Sequence, residues 1–287
     1  MYWLFFALIE PILHGSANVI DNYFINTIFR KTTTMMFFAS FMNVLFLPLI
    51  LLLDFPAMIT LKQVPFFLVL GLTGIGYLYP YYKALQQDDT SVVVSLFALG
   101  KIFVPILAFV LIGEILLLRQ YLGFVIIILS ATLLTMNGKR GFHINVSFYW
   151  MMLCAMILAI EVVIYKYIFG IMSWGTGFTW ATLFSFLFAL VFIVVRRTRK
   201  EIGLQVEKFK ANFYLFSLEE FLTFSGSAAA TFAISLTSVT LVSAISSFQP
   251  VFVLLYAVGL HRFFPRVFNP SLTVCQLIPQ KNLIDSL

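Results

Sequence analysis

Nine stretches of this 287-residue chain are long and apolar enough to cross a lipid bilayer, and that feature constrains the fold more than any other. A crossing of the ~30 Å hydrocarbon layer takes about 20 mostly apolar residues. Such runs fall at roughly 2–29, 35–53, 66–83, 92–113, 120–137, 148–169, 174–195, 213–236 and 240–260. Glu10, His14 and Asp21 interrupt the first, and Glu219 and Glu220 delay the eighth. An open strand leaves its backbone unsatisfied in lipid, and no alternating ten-residue segments of barrel type occur, so every run is predicted to be helical. The expected fold class is all-α, a polytopic membrane helix bundle of about nine transmembrane helices. With 61% hydrophobic and 10% charged residues, against the ~25% charge of an ordinary soluble domain, a water-soluble globule is excluded. Residues 54–65, DFPAMITLKQVP, are too short and too polar to span; Pro56 and Pro65 bracket what reads as a re-entrant or surface piece.

The 18 Lys and Arg residues carry an orientation. Fourteen follow the odd-numbered runs, Lys62 and Arg119 follow the second and fourth, and Lys101 and Lys166 lie inside runs. The N-terminus is expected outside, with the basic loop 196–210, RRTRKEIGLQVEKFK, in the cytoplasm. That loop reads first as a positive-inside anchor and second as a contact for anionic membrane lipid. The net charge of +6 is then largely a topology signal, and nucleic acid is not an expected partner. Cys154 and Cys275 have no Cys or His neighbour at ligand spacing, so no disulfide framework, metal or cofactor is expected. The start, MYWLFFALIE, lacks a basic n-region, and the chain is read as mature from Met1.

Segments 84–111 and 233–260 match at a fixed offset in Ala84/Ala233, Val93/Val242, Phe103/Phe252, Val104/Val253, Ala108/Ala257 and Leu111/Leu260. Each has a Ser-rich lead-in and a mid-helix proline, Pro105 or Pro250. An odd number of runs between them gives the two halves opposite orientations, an inverted-repeat arrangement. The string Ala84-Leu85, Thr90-Ser91-Val92-Val93-Val94-Ser95-Leu96, Pro105, Gly113-Glu114, Gln120 and Leu122-Gly123 resembles the EamA-type domain of the drug/metabolite transporter superfamily. Ala233, Leu241-Val242-Ser243 and Gln249-Pro250-Val251-Phe252 repeat it, and Gly15-Ser16-Ala17-Asn18 with Asp21-Asn22-Tyr23 looks like that family's opening helix.

The resemblance implies ten helices in two inverted five-helix repeats around a central cavity. Here it maps to a first repeat at 1–137, a second at 148–260 with four spans, and a polar C-terminal tail at 261–287 that cannot span. A nine-helix variant, a homodimer that supplies the missing surface and a truncated chain are the alternatives. The implied function is a secondary transporter or exporter of a small metabolite, working by alternating access in a bacterial inner membrane. A nucleotide-sugar or sugar-phosphate antiporter of the same superfamily is the runner-up, and a non-transporting structural or regulatory membrane protein the rival class. An enzyme is not expected: no Gly-x-Ser-x-Gly, His-Glu-x-x-His or phosphate-binding glycine loop is present, and the only histidines are His14, His143 and His261.

Ionisable groups deep in a membrane are costly, so those that persist usually face a bundle interior or a wet cavity. Glu10, His14, Asn18 and Asp21 share one stripe of the first helix, and Glu10 with His14, one turn apart, is a candidate for proton coupling. The alternative is a structural hydrogen-bonded pair. Lys101 lies too deep in the fourth run to snorkel easily, and Glu161 or Glu10 is its expected partner, either as a structural ion pair or beside an anionic group of the substrate. Tyr77, behind Gly71, Gly74 and Gly76, and Gln249, before Pro250, offer further polar contacts. The expected substrate-binding set is Glu10, His14, Asn18, Tyr77, Lys101, Glu161 and Gln249. Lys166 between two tyrosines is expected to snorkel, Glu219 and Glu220 to pair with the 196–210 loop, and Glu114 to anchor a helix end.

Overall fold

The computed structural model describes residues 2–29, 31–88, 90–136 and 146–261, and these form a helical bundle with no strand among them. Helix α1 (Tyr2–Tyr23) runs on into a π-helical turn (Phe24–Ile28). Then come α2 (Thr32–Leu51), α3 (Val64–Gly76), α4 (Leu78–Leu85), α5 (Thr90–Gly100), α6 (Phe103–Ile112) and α7 (Leu118–Met136). The second half holds α8 (Val146–Phe169), α9 (Trp174–Val194), α10 (Arg196–Ala211), α11 (Phe213–Leu236), α12 (Val239–Ser246) and α13 (Gln249–His261). Joined end to end where the chain only kinks, seven of these stretches among the described residues are long and apolar enough to cross a membrane. The remaining two expected runs, the fifth and the eighth, coincide with α7 and with α11, which carries Glu219 and Glu220. The tail at 262–287 and the 137–145 connection, with Lys139, Arg140 and His143, lie outside the described residues, and so does the choice among a nine-helix variant, a homodimer and a truncated chain.

Proline breaks three of the spans. Pro105 has no N–H to give the Lys101 carbonyl, which instead accepts from the Val104 N–H at 3.0 Å, and the helix is interrupted at Lys101 and Ile102 between α5 and α6. The α12/α13 junction lies just before Gln249 and Pro250, where the Ser247 and Phe248 N–H groups donate three residues back, to Ala244 (3.1 Å) and Ile245 (3.0 Å). Tyr77 separates α3 from α4 three residues before Pro80. Each break lets backbone and side chains turn toward the bundle axis, which lipid-facing helix could not do.

Helices α1 and α11 pack antiparallel along their whole length, from Phe6 against Phe232 at one end to Phe24 against Phe216 at the other. Gly71 brings α3 onto α9 so closely that a Cβ there would lie 2.7 Å from the Phe184 carbonyl carbon. The 54–65 piece lies over the start of α9. Asp54 Oδ2 accepts from the Gly175 N–H at 2.8 Å, Ala57 N–H donates to Thr176 Oγ1 at 3.0 Å, and Trp180 Nε1 donates to the Ala57 carbonyl at 2.9 Å. A carboxylate at a helix N-terminus is favoured by the helix dipole.

The basic segment 196–210 is a helix and not a loop. Ile202, Val206 and Phe209 fall on one face at helical spacing, Ile202 and Phe209 are buried, and Phe209 stacks on Phe38 of α2 at 4.3 Å. Its polar face makes its own ion pairs, Glu201 with Lys31 (3.7 Å) and Arg197 (3.8 Å).

Candidate functional site

A cavity of about 210 Å³ opens in the middle of the bundle, walled by α1, α2, α3, α4, the α5/α6 break, α8, α9, α11 and the α12/α13 junction. Among the described residues five carboxyl side chains line it, from Glu10, Asp21, Glu161, Glu219 and Glu220, against one ammonium, Lys101, and one imidazole, His14. All seven expected site residues, Glu10, His14, Asn18, Tyr77, Lys101, Glu161 and Gln249, lie on its wall. The antiparallel α1/α11 pair divides the charged groups into two tiers: one at mid-depth, and one nearer the bundle end that bears α10.

The mid-depth tier holds Glu10, His14, Lys101 and Glu161. His14 Nδ1 lies 3.3 Å from Glu10 Oε1, and Nε2 lies 3.1 Å from the Thr223 carbonyl and 3.3 Å from Ser227 Oγ. A carbonyl only accepts, so its neighbour Nε2 carries a hydrogen, and the Nδ1–Oε1 gap then holds one proton, on the ring or on the carboxyl. The ring fits because Gly226 leaves the facing turn of α11 bare; a Cβ there would collide with the imidazole. Lys101 sits at the α5/α6 break, half-buried, and is electrostatically coupled to both Glu10 and Glu161, though no carboxylate approaches within ion-pair distance among the described residues. Glu10 Oε2 and Glu161 Oε2 are buried without a hydrogen-bond partner.

The other tier holds Asp21, Glu219 and Glu220. Asp21 is 5% exposed, Glu219 1% and Glu220 2%, so none is at the surface. Tyr81 Oη stands 3.0 Å from both Asn18 Oδ1 and Asp21 Oδ2; with a single hydrogen it can donate to one of them at a time. Glu220 Oε2 accepts from Asn43 Nδ2 at 3.2 Å and Glu219 Oε1 from Thr223 Oγ1 at 3.1 Å. Asp21 Oδ1 and Glu219 Oε2 are buried with no partner. The expectation that Glu219 and Glu220 pair with the 196–210 segment is corrected here. They lie about two turns inside α11, facing α1 and α2, while the charges of α10 point to the surface.

This second tier is what sequence reasoning missed. Asp21 lies on the expected stripe but outside the expected set, Tyr81 reads in the sequence as one of a tyrosine cluster at a span end, and nothing in the sequence points to Asn43. The signal was present for the acids: two adjacent glutamates inside an otherwise apolar run are a poor fit to a headgroup role. Asn43 and Tyr81 gave none, since only the packing of α2 and α4 against α1 and α11 brings them in.

Two other deep charges lie elsewhere. Lys166, half-buried in the last turn of α8, donates through Nζ to the Ile234 (3.1 Å) and Thr237 (2.7 Å) carbonyls and so caps the end of α11. Glu114 is the anchor expected of it, and it binds the start of α12: Oε1 accepts from Ser238 Oγ (2.7 Å), Thr240 N–H (3.2 Å) and Thr240 Oγ1 (2.6 Å), Oε2 from Val239 N–H (3.1 Å). No group of three or more His, Cys, Asp or Glu side chains that could hold a metal ion occurs among the described residues.

An all-helical, multi-pass integral membrane protein with a polar cavity at its centre is the class these features define. Residues 1–136 match the model of the EamA-like transporter family. The fold extends beyond the matched half: a solved crystal structure of a protein, 15% identical, aligns over 96% of this chain and 91% of its own length with a TM-score of 0.62. No curated protein matches the sequence.

Proposed function

We propose that the chain is a secondary transporter that carries a small metabolite by alternating access around the central cavity, with Glu10, His14, Asn18, Tyr77, Lys101, Glu161 and Gln249 among the residues that meet the solute. The observation that carries this reading is a cavity whose wall draws charged side chains from both halves of the chain, at depths where ionisable groups are otherwise costly. Its volume, about 210 Å³, is below the ~300–1,000 Å³ of sites for drug-sized ligands, which favours a small solute over a nucleotide sugar. The proton held between His14 and Glu10 makes protons the natural coupling ion. The lopsided distribution of Lys and Arg supports α10 at the cytoplasmic face of a bacterial inner membrane.

The test is uptake by proteoliposomes, with solutes chosen by comparing metabolite efflux from cells with and without the protein. Glu10→Gln, Glu161→Gln and Lys101→Met should each cut uptake at least tenfold while the protein still elutes as a folded species. Uptake untouched by all three substitutions would remove the central site. Insensitivity of the wild type to a pH gradient would remove proton coupling.

A further inference from the structure

We infer that the solute is a small organic cation with an ammonium or guanidinium group, and that the Asp21, Glu219 and Glu220 carboxyls receive that group. The inference rests on the transport reading and specifies its substrate class.

Three observations lead to it. The first is unspent hydrogen-bonding capacity. Buried polar atoms in folded proteins are nearly always paired, yet Asp21 Oδ1 and Glu219 Oε2 line the cavity on side chains at least 95% buried and have no protein partner. In its ionised form a carboxyl only accepts, so what completes it is a donor, and an ammonium brings three while a guanidinium brings five. The second is charge. Among the described residues Lys101 is the one Lys or Arg on the cavity wall, and it acts on both Glu10 and Glu161. His14 acts on Asp21 from the other tier, but no Lys or Arg among the described residues serves the second tier, whose three carboxyls lie close enough to act on one another. An anionic solute would add to that repulsion; a cation relieves it. The third is the wall itself. Tyr77, Tyr81, Tyr82 and Phe97 give the cavity aromatic surface, which attracts cations by their ring faces and covers the alkyl part of an organic amine but offers little to a bare metal ion.

The position fits capture. Asp21 lies two residues before the end of α1, and Glu219 and Glu220 lie within the first two turns of α11, so the tier is the part of the cavity nearest the α10 end. A cation held there has Glu10 and Glu161 deeper in the same cavity as its next acceptors.

The experiment uses the full chain, purified and reconstituted, with three labelled probes at equal ionic strength: putrescine as the amine cation, leucine as the zwitterion and succinate as the anion. Putrescine should be taken up, should raise the melting temperature of the wild-type protein where matched sodium chloride does not, and should be competed by agmatine but not by leucine or succinate. Glu219→Gln/Glu220→Gln should raise the half-saturating putrescine concentration at least tenfold. Lys210→Ala, at a surface position paired only with Glu207, should leave it unchanged. Because the melting-temperature shift is read on the wild type, the result does not depend on a variant folding. Uptake of leucine or succinate with exclusion of putrescine would overturn the inference and leave the transport reading standing. No stabilisation and no uptake of any probe would overturn the inference and count against the transport reading as well. Unchanged putrescine affinity in the double variant would overturn the assignment to this tier.

Discussion

The two tiers of the cavity hold the same kind of group in opposite circumstances. At mid-depth, Glu10 and Glu161 are answered from within the protein, by His14 at 3.3 Å and by Lys101 at the α5/α6 break. In the tier nearer α10, Asp21, Glu219 and Glu220 are held by a phenol, an amide and a hydroxyl, none of which carries charge. Removing one partner from a buried charge pair is costly because the survivor is stranded. A tier that lacks internal counter-charge either keeps its carboxyls protonated or takes a partner from outside, and the inferred cation is that partner. The mid-depth tier is built to persist with the cavity empty, the other to be filled.

The largest effect should come from making the second tier resemble the first. Asn43 already donates to Glu220 at 3.2 Å, so Asn43→Lys would place an ammonium among the three carboxyls. A like charge facing a bound cation costs several kcal/mol, and cation uptake should fall by about 100-fold or more while the melting temperature is kept or raised. If Asn43→Lys transports amines normally, the two tiers do not differ in the way described.

The reverse change, Lys101→Met, strips the mid-depth tier of its ammonium. Glu10 and Glu161 then lose the cation that acts on both, and the melting temperature should fall modestly while uptake drops tenfold or more. His14→Gln should act more narrowly. The amide can still donate to the Thr223 carbonyl but cannot take up a proton, so uptake at a fixed pH should drop only several-fold, and the component driven by an imposed pH gradient should vanish. A gradient-driven rate that survives in His14→Gln would move proton handling away from this pair.

How much of this was legible in the sequence follows the same division. The all-helical class, the breaks at Pro105 and Pro250, and the mid-depth residues could be read, because each depends on local spacing: Glu10 and His14 are one turn apart, and Lys101 is far from either end of its run. The second tier could not, because it is made by tertiary packing. Glu219 and Glu220 follow a strongly basic segment, and proximity in sequence suggested pairing with it. The apolar face of α10, Ile202, Val206 and Phe209, instead docks that helix on α2 and turns its charges outward, which leaves the two glutamates to face α1. Lys166 illustrates the same limit: its place near the span end is legible, but only the fold shows the open carbonyls of α11 beside it.

Glu114 supplies a third setting for a carboxylate, and the smallest expected effect. It joins the first half of the chain, just past α6, to the start of α12 in the second, and both of its oxygens are spent on the Ser238, Val239 and Thr240 donors. Unlike the second tier it has no capacity left for a ligand, and unlike Glu10 it needs no cation, because four donors at a helix N-terminus serve as one. Glu114→Gln keeps one acceptor oxygen and loses the charge, which should cost about 0.5–1 kcal/mol and a few degrees in melting temperature, leaving the half-saturating amine concentration where it was. A large change in that concentration with no loss of stability would mean that the contact between the halves governs access to the cavity, and that the difference between the two tiers depends on which side of the bundle is open.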